Sequence, residues 1–251
     1  MEVKLNVKLL AHTPLPEDVV SMGAKLCYSP LSIDELKDKT SKDDNSKFIK
    51  MISDMGHNSV LEHATFTFGI EGISRACANQ LVRHRIASPS QKSQRYVNEE
   101  GFDFIIPEGI RDDKELETMY IEMMERNNTD YLDLVERIKV KYLEGHTTPS
   151  DKVKKDGEKY AIENARYVLP NACETKLIFT INARSLINFL QLRTCRNAQT
   201  EIRELAEEMY WIVVEKAPNI FKNKVAKCIS EGKCPEGKKT CGKPRYELEV
   251  K

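Results

Sequence analysis

The sequence predicts an α+β fold: a single helix-rich domain with a small, mostly antiparallel sheet. Three observations carry that expectation. Only a few short segments alternate with period two or concentrate β-branched residues. Most of the remainder repeats apolar residues at helical spacing. No internal repeat and no flexible linker divides the 251 residues, a length that one sizeable core can serve.

In chain order, residues 3–10 read as a strand, stopped by Pro14 and Pro16, and residues 17–28 as a helix. Phe48, Ile49, Ile52 and Met55 recur at helical spacing, which predicts a helix over 41–55 ended by Gly56. Residues 64–70 alternate as a half-buried strand, with Phe66 and Phe68 pointing to the core. Ser74 is a plausible N-cap for a helix running to His84. The hydroxyl-, Pro- and Gln-rich stretch 85–96 reads as a loop, and 102–106 as a short strand before Pro107. A long periodic stretch, 114–144, is one helix or two. Residues 147–157 are polar and loop-like, and the run from Lys152 to Lys155 reads as solvated. A helix over 158–168 ends at Leu169-Pro170, a strand covers 175–182 with Phe179 in the core, and helices follow at 185–193 and 198–216. The tail from 219 has little periodicity, so residues 1–220 are expected to form the main domain and 221–251 an extension packed on it.

Lys plus Arg and Asp plus Glu both number 39, so the net charge is zero. That balance argues against a protein holding nucleic acid by bulk charge. No stretch is apolar enough for a membrane helix, and the N-terminal residues lack the apolar core of a secretory signal, which makes the cytoplasm the expected compartment. The neutrality is uneven, however. Between Glu71 and Glu99 no acid occurs, while Arg75, Arg83, Arg85, Lys92 and Arg95 do; between Glu174 and Glu201 none occurs, while Lys176, Arg184, Arg193 and Arg196 do. Windows of one sign suggest surfaces for anions, or cations paired with carboxylates remote in sequence. Their arginines suit phosphate and carboxylate, which a guanidinium grips bidentately. Single-stranded nucleic acid is the rival anion, but no aromatic residue lies between Arg75 and Arg95 to stack on bases.

The first window contains Arg83-His84-Arg85, then seven residues, then Ser93. Around it stand Gly56-His57-Asn58-Ser59-Val60-Leu61-Glu62-His63, Ala165-Arg166-Tyr167-Val168-Leu169-Pro170, and Asn182-Ala183-Arg184-Ser185-Leu186-Ile187-Asn188-Phe189-Leu190 leading to Leu192-Arg193. In this order and spacing the chain resembles the flavin-dependent thymidylate synthases over roughly residues 15–220.

The resemblance implies FAD as cofactor, dUMP as substrate, methylene-tetrahydrofolate as carbon donor and NADPH as reductant. It also implies a homotetramer with active sites where subunits meet. His57, Ser59, Glu62, Arg83, His84, Arg85, Ile86, Asn182, Arg184, Asn188 and Asn197 match flavin-side positions, with His57 also near the folate. Gln80, Gln91, Ser93, Gln94, Arg95, Arg166 and Arg193 match dUMP positions. Arg193 is the expected catalytic group, and Ser93 a ligand rather than a nucleophile. Asn197 stands where many members have histidine, and Gln91 where many have glutamate, so neither brings a charge. His63 and Trp211 read as packing residues. A flavoprotein without synthase activity is the remaining reading. No metal is assigned. Seven cysteines are present, and Cys195, Cys228, Cys234 and Cys241 leave a zinc thiolate site, a disulfide and free thiols all open.

Overall fold

The computed structural model describes residues 3–42, 44–245 and 247–248. The predicted domain limits and the 41–55 helix also take in residues 1, 2, 43, 246 and 249–251, which lie outside the described residues. The fold is α+β and helix-rich, with one four-stranded antiparallel sheet. Its strands are β1 (Asn6–His12), β2 (Thr65–Ser74), β3 (Ala87–Gln91) and β4 (Glu174–Asn182), in the order β1-β2-β4-β3. The helices are α1 (Pro16–Leu26), α2 (Ile33–Lys42), α3 (Ser46–Asp54), α4 (Arg75–Leu81), α5 (Glu108–Arg111), α6 (Lys114–Leu143), α7 (Asp151–Ala165), α8 (Ala183–Arg193), α9 (Thr200–Lys216), α10 (Pro218–Phe221) and α11 (Lys227–Ser230).

Several local readings need correction. The stretch 85–96 contains the strand β3; Pro89 obscures it, yet β3 is the last strand in the sheet order, where a residue without an N–H is tolerated. The helix α2 went unpredicted because it is strongly polar and buries only Leu36 and Thr40. Its start is a capping box: the Ser32 hydroxyl accepts from the Glu35 N–H at 3.3 Å while the Glu35 carboxylate accepts from the Ser32 N–H at 2.9 Å. The helix α7 begins at Asp151, with Ser150 as its N-cap accepting from the Val153 N–H, so Lys152 to Lys155 are helical. Residues 114–143 form one helix, capped by the Asp113 carboxylate. Residues 102–106 make only an isolated antiparallel bridge, Phe104 to Cys173.

The chain forms two compact units built from interleaved segments. The first contains the residues up to Asn6, Glu71–Asn79 and Ser90–Leu177; the second contains Val7–Ile70, Gln80–Pro89 and the residues from Ile178 onward. The changeovers fall inside the four strands and inside α4, which is why no linker is visible in the sequence. In the first unit α6 and α7 pack on each other, and a Cβ added at Gly157 would come within 2.9 Å of the Tyr142 ring. Phe102, Phe104, Ile106, Met124 and Cys173 form its apolar cluster. Burial pushes the Cys173 thiol up to about 12, so it stays protonated and acts as a packing group. In the second unit Phe66, Phe68, Phe179, Phe189 and Phe221 are fully buried, and the Phe66 and Phe221 rings meet edge to face at 5.2 Å. Burying five aromatic side chains is worth several kcal/mol, at roughly 1.5–3 each.

The tail is held in the second unit by hydrogen bonds. The Thr194 hydroxyl accepts from the Ala226 N–H at 2.8 Å, and the Asn197 amide donates to the Lys239 carbonyl at 2.7 Å. Arg245 donates to the Thr194 carbonyl at 3.3 Å and pairs with Glu207. All seven cysteines are free thiols in the structure. Among the described residues no group of His, Cys, Asp and Glu is arranged to hold a metal ion, although Cys195, Cys228 and Cys234 line one small pocket.

Candidate active site

The motif residues fall into two groups, one in each unit. In the first unit, β3 delivers Gln91, and its amide donates to the Thr175 hydroxyl at 3.2 Å. Two residues on, the Ser93 hydroxyl accepts from the Arg95 N–H at 3.3 Å. The Gln94 Nε2 is buried and has no hydrogen-bond partner. An orphaned amide donor of this kind costs about 1–3 kcal/mol unless a ligand oxygen meets it. Arg95 grips Glu163 of α7 through Nε at 3.0 Å and Nη2 at 2.7 Å, and that contact holds the Glu163 carboxyl below the usual range. The Arg166 guanidinium lies over the exposed Tyr167 ring, 5.6 Å from its centroid.

The other basic residues of this unit are structural. Arg75 donates to the Lys92 carbonyl at 3.1 Å. Lys92 lies 3.0 Å from Glu99 and 3.6 Å from Glu174. Lys176 pairs with Glu71 at 3.4 Å. Lys92 and Lys176 are thus neutralised by carboxylates outside their own windows or at their edges.

In the second unit the turn after α4 carries Arg83, His84 and Arg85. Arg193, the last residue of α8, donates from Nε to His84 Nε2 at 3.0 Å and from Nη1 to the Gln80 carbonyl oxygen at 3.5 Å. Gln80 in turn donates to Gln199 at 2.5 Å. The His84 ring stands edge-on to Phe189 at 4.9 Å. Burial, and then the Arg193 charge, lower the His84 pKa below 6.5. A neutral ring accepting at Nε2 carries its proton on Nδ1. Among the described residues Arg83, Arg85, Arg193 and Arg196 make no ion pair. Four cations of one unit therefore have no carboxylate partner among the described residues.

Ile86 is exposed and sits at φ 62°, in the left-handed region. For a β-branched residue that strain is worth about 1–3 kcal/mol. Asn182 caps α8, its side-chain oxygen accepting from the Ser185 N–H at 2.9 Å. Two residues on, Arg184 pairs with Glu62 at 2.6 Å, and Asn188 is exposed on the same helix. Asn197 is engaged with the tail. His57 and Ser59 line a largely apolar pocket of about 720 Å³ with Phe48, Met51 and Met55. Cys27, Tyr28 and Pro30 line the same pocket and were missed in the sequence, where nothing in their local pattern marks them. Glu163 was missed too, although it lies in the last turn of α7, three residues before its C-cap Arg166. His63 lies against α1, where a Cβ added at Gly23 would meet its ring at 2.9 Å.

The lowered His84 pKa has a testable consequence. Between the depressed folded value and 6.5 the unfolded chain holds a proton that the folded chain resists. The stability due to neutral His84 is complete above 6.5 and is lost as the pH falls through the folded value. The stability gap between wild type and His84→Gln, measured by urea denaturation, is expected to shrink as the pH falls below 6.5. A gap that widened in acid would contradict a neutral His84.

The family model described as thymidylate synthase complementing protein matches residues 8–219. The chain is 49% identical over 240 residues to the flavin-dependent thymidylate synthase of Clostridium tetani, covering 95% of this chain and 94% of the relative. It is 46% identical over 241 residues to that of Geobacter sulfurreducens, covering 95% and 94%, and 38% over 245 residues to that of Thermococcus kodakarensis, covering 94% and 91%. With its Arg-His-Arg turn and matches spanning nearly the whole chain, the protein belongs to the thymidylate synthase complementing protein family, that of the flavin-dependent thymidylate synthases.

Proposed function

We propose that this protein converts dUMP to dTMP by reductive methylation, with methylene-tetrahydrofolate as carbon donor, NADPH as reductant and FAD as cofactor. The observation that carries the reading is Arg193: a guanidinium held by neutral His84 and Gln80, with no carboxylate to quench it among the described residues. The donor set fits a flavin and a nucleotide, since arginines without carboxylate partners and the orphaned Gln94 amide both call for anionic or carbonyl oxygens. FAD, when bound, supplies the hydride and relays the one-carbon unit.

This chain's residues do the rest. Arg193 donates to the pyrimidine carbonyl and stabilises the negative charge that develops there as the ring carbon attacks. His84 fixes the direction of that guanidinium by accepting from its Nε. Arg83 and Arg85 hold phosphate, and Arg184, oriented by Glu62, faces the flavin with Asn188. Ser93, Gln94, Arg95 and Arg166 bind dUMP, with Glu163 pre-setting Arg95. The working form is a homotetramer whose active sites lie at subunit interfaces, and the compartment is the cytoplasm. No helix among the described residues is long and apolar enough to cross a membrane.

Anaerobic reduction of the bound flavin by NADPH, with and without dUMP, tests this reading, alongside light scattering. The expected protein is yellow and tetrameric and forms dTMP. A colourless monomer that binds single-stranded DNA would overturn the proposal.

Ser93→Ala is expected to raise the dUMP Kd about 2- to 12-fold, the equivalent of one hydrogen bond of 0.5–1.5 kcal/mol, with turnover retained at saturating dUMP. Complete loss of turnover with FAD still bound would make Ser93 more than a ligand.

A further inference from the structure

Ser93, Gln94 and Arg95 sit on a segment with little structure of its own. Residues 92–98 form neither helix nor strand, and 95–98 are exposed. Within the segment the Tyr96 and Val97 N–H groups donate to the Ser93 carbonyl at 3.3 and 3.1 Å. An exposed turn of this kind opens readily unless its ends are tied.

Both ends are tied, and they are tied to each other. The Lys92 ammonium lies 3.0 Å from the Glu99 carboxylate, so one ion pair brackets residues 93–98. The same ammonium lies 3.6 Å from Glu174 in β4, and the Glu174 carboxylate also accepts from the Gly72 N–H of β2 at 3.1 Å. Main-chain groups fix the Lys92 end further. Its carbonyl accepts from Arg75 at 3.1 Å, and its N–H donates to the Lys176 carbonyl at 2.9 Å. At the other end the Tyr131 hydroxyl of α6 accepts from the Glu99 N–H at 3.4 Å and donates to the Asn98 side-chain oxygen at 3.1 Å. Tyr131 is fully buried, and burial raises its pKa above 10, so it keeps the proton that it donates.

The Glu99 and Glu174 side chains are 4% and 6% exposed and that of Lys92 23%, which takes the cluster out of the class of screened surface pairs. Two carboxylates around one ammonium leave Lys92 no excess charge for a phosphate, so its part is to set shape. We propose that Lys92 and Glu99 are positioning residues: their ion pair staples residues 93–98 into the shape that receives dUMP, and Tyr131 anchors the far end. This rests on the dUMP role of Ser93, Gln94 and Arg95 under Proposed function. A segment ordered beforehand need not be ordered when the nucleotide arrives, so the staple acts on affinity.

The test compares FAD-loaded wild type with Glu99→Gln, which keeps the shape and removes the charge, and with Tyr131→Phe, which removes the hydroxyl alone. A segment that holds its receiving shape about a tenth of the time binds dUMP about tenfold more weakly. That rise in the dUMP Kd and KM is expected of Glu99→Gln, with kcat at saturating dUMP and FAD content unchanged, and Tyr131→Phe should shift both constants in the same direction. Without dUMP the amides of 93–98 should take up deuterium faster in Glu99→Gln than in wild type, and saturating dUMP should restore the wild-type rate. An unchanged dUMP Kd, or a fall in kcat with KM unchanged, would overturn the proposal. Tighter dUMP binding by Glu99→Gln would overturn it too, by making the released Lys92 a phosphate ligand. If wild type binds no dUMP, the proposed function fails instead, and deuterium uptake without ligand still decides the staple: equal uptake in wild type and Glu99→Gln removes it. If Glu99→Gln does not fold, Tyr131→Phe decides on the same readouts.

Discussion

Arg193→Lys is expected to lower kcat for dTMP formation about 10²–10³-fold, the scale on which removing one pre-aimed donor acts. Flavin content should stay near that of wild type. Lysine keeps the charge, but it has no counterpart of the Nε–H that donates to His84 at 3.0 Å while Nη1 reaches Gln80. Its flexible ammonium then settles in several orientations, and the donor is no longer fixed where charge develops. The measurement is single-turnover dTMP formation at saturating dUMP, with bound flavin quantified on the same sample. Parallel loss of flavin and activity would make Arg193 a flavin anchor and return the catalytic role to another cation, with Arg83 and Arg85 next in line.

The second large effect concerns stability. Glu207→Ala is expected to destabilise the fold by about 3–5 kcal/mol, the usual result of stranding one member of a buried ion pair. The side chains of Arg245 and Glu207 are only 10% and 11% exposed, so the stranded guanidinium has little access to water. In a chain of 251 residues this lowers Tm by roughly 6–20 °C. The double variant Glu207→Ala/Arg245→Met should recover most of the loss, because two apolar groups leave no uncompensated charge. Thermal unfolding of wild type, the single and the double variant separates these outcomes, and a loss below about 1 kcal/mol for the single variant would place the pair in the weak surface class. The same pair explains how a tail with few apolar residues stays ordered: Thr194, Asn197 and Glu207 receive it, where a thiolate site had been one of the options open in the sequence.

What the sequence discloses and what it hides follow from the range of the interactions. Period-two burial in β2 and helical spacing in α8 and α9 are local signals, and those elements lie where expected to within a few residues. Ser32 and Ser150 are local signals as well, but each precedes a polar stretch that dilutes the helical pattern, so α2 and the start of α7 were passed over. The strand β3 was hidden by Pro89, whose acceptability depends on sheet order, a property of the whole chain. The site shows the same division. The motif residues were visible through their fixed spacing, whereas the partners that set their chemistry are remote: Glu163 for Arg95, Glu62 for Arg184, His84 for Arg193. The basic windows misled in part for that reason, since Lys92 and Lys176 owe their carboxylates to pairing that no local count reveals.

Ile86 completes the picture from another side. A β-branched residue held at a left-handed φ, exposed and directly after the Arg-His-Arg turn, contributes little to burial and strains the backbone. Screens that reward heat resistance would therefore select Ile86→Gly or Ile86→Asn early, because both accept this conformation more readily. A turn that glycine relaxes also samples more directions, and with it the guanidinium of Arg85. At this residue, selection for a sturdier protein and selection for a working one pull apart.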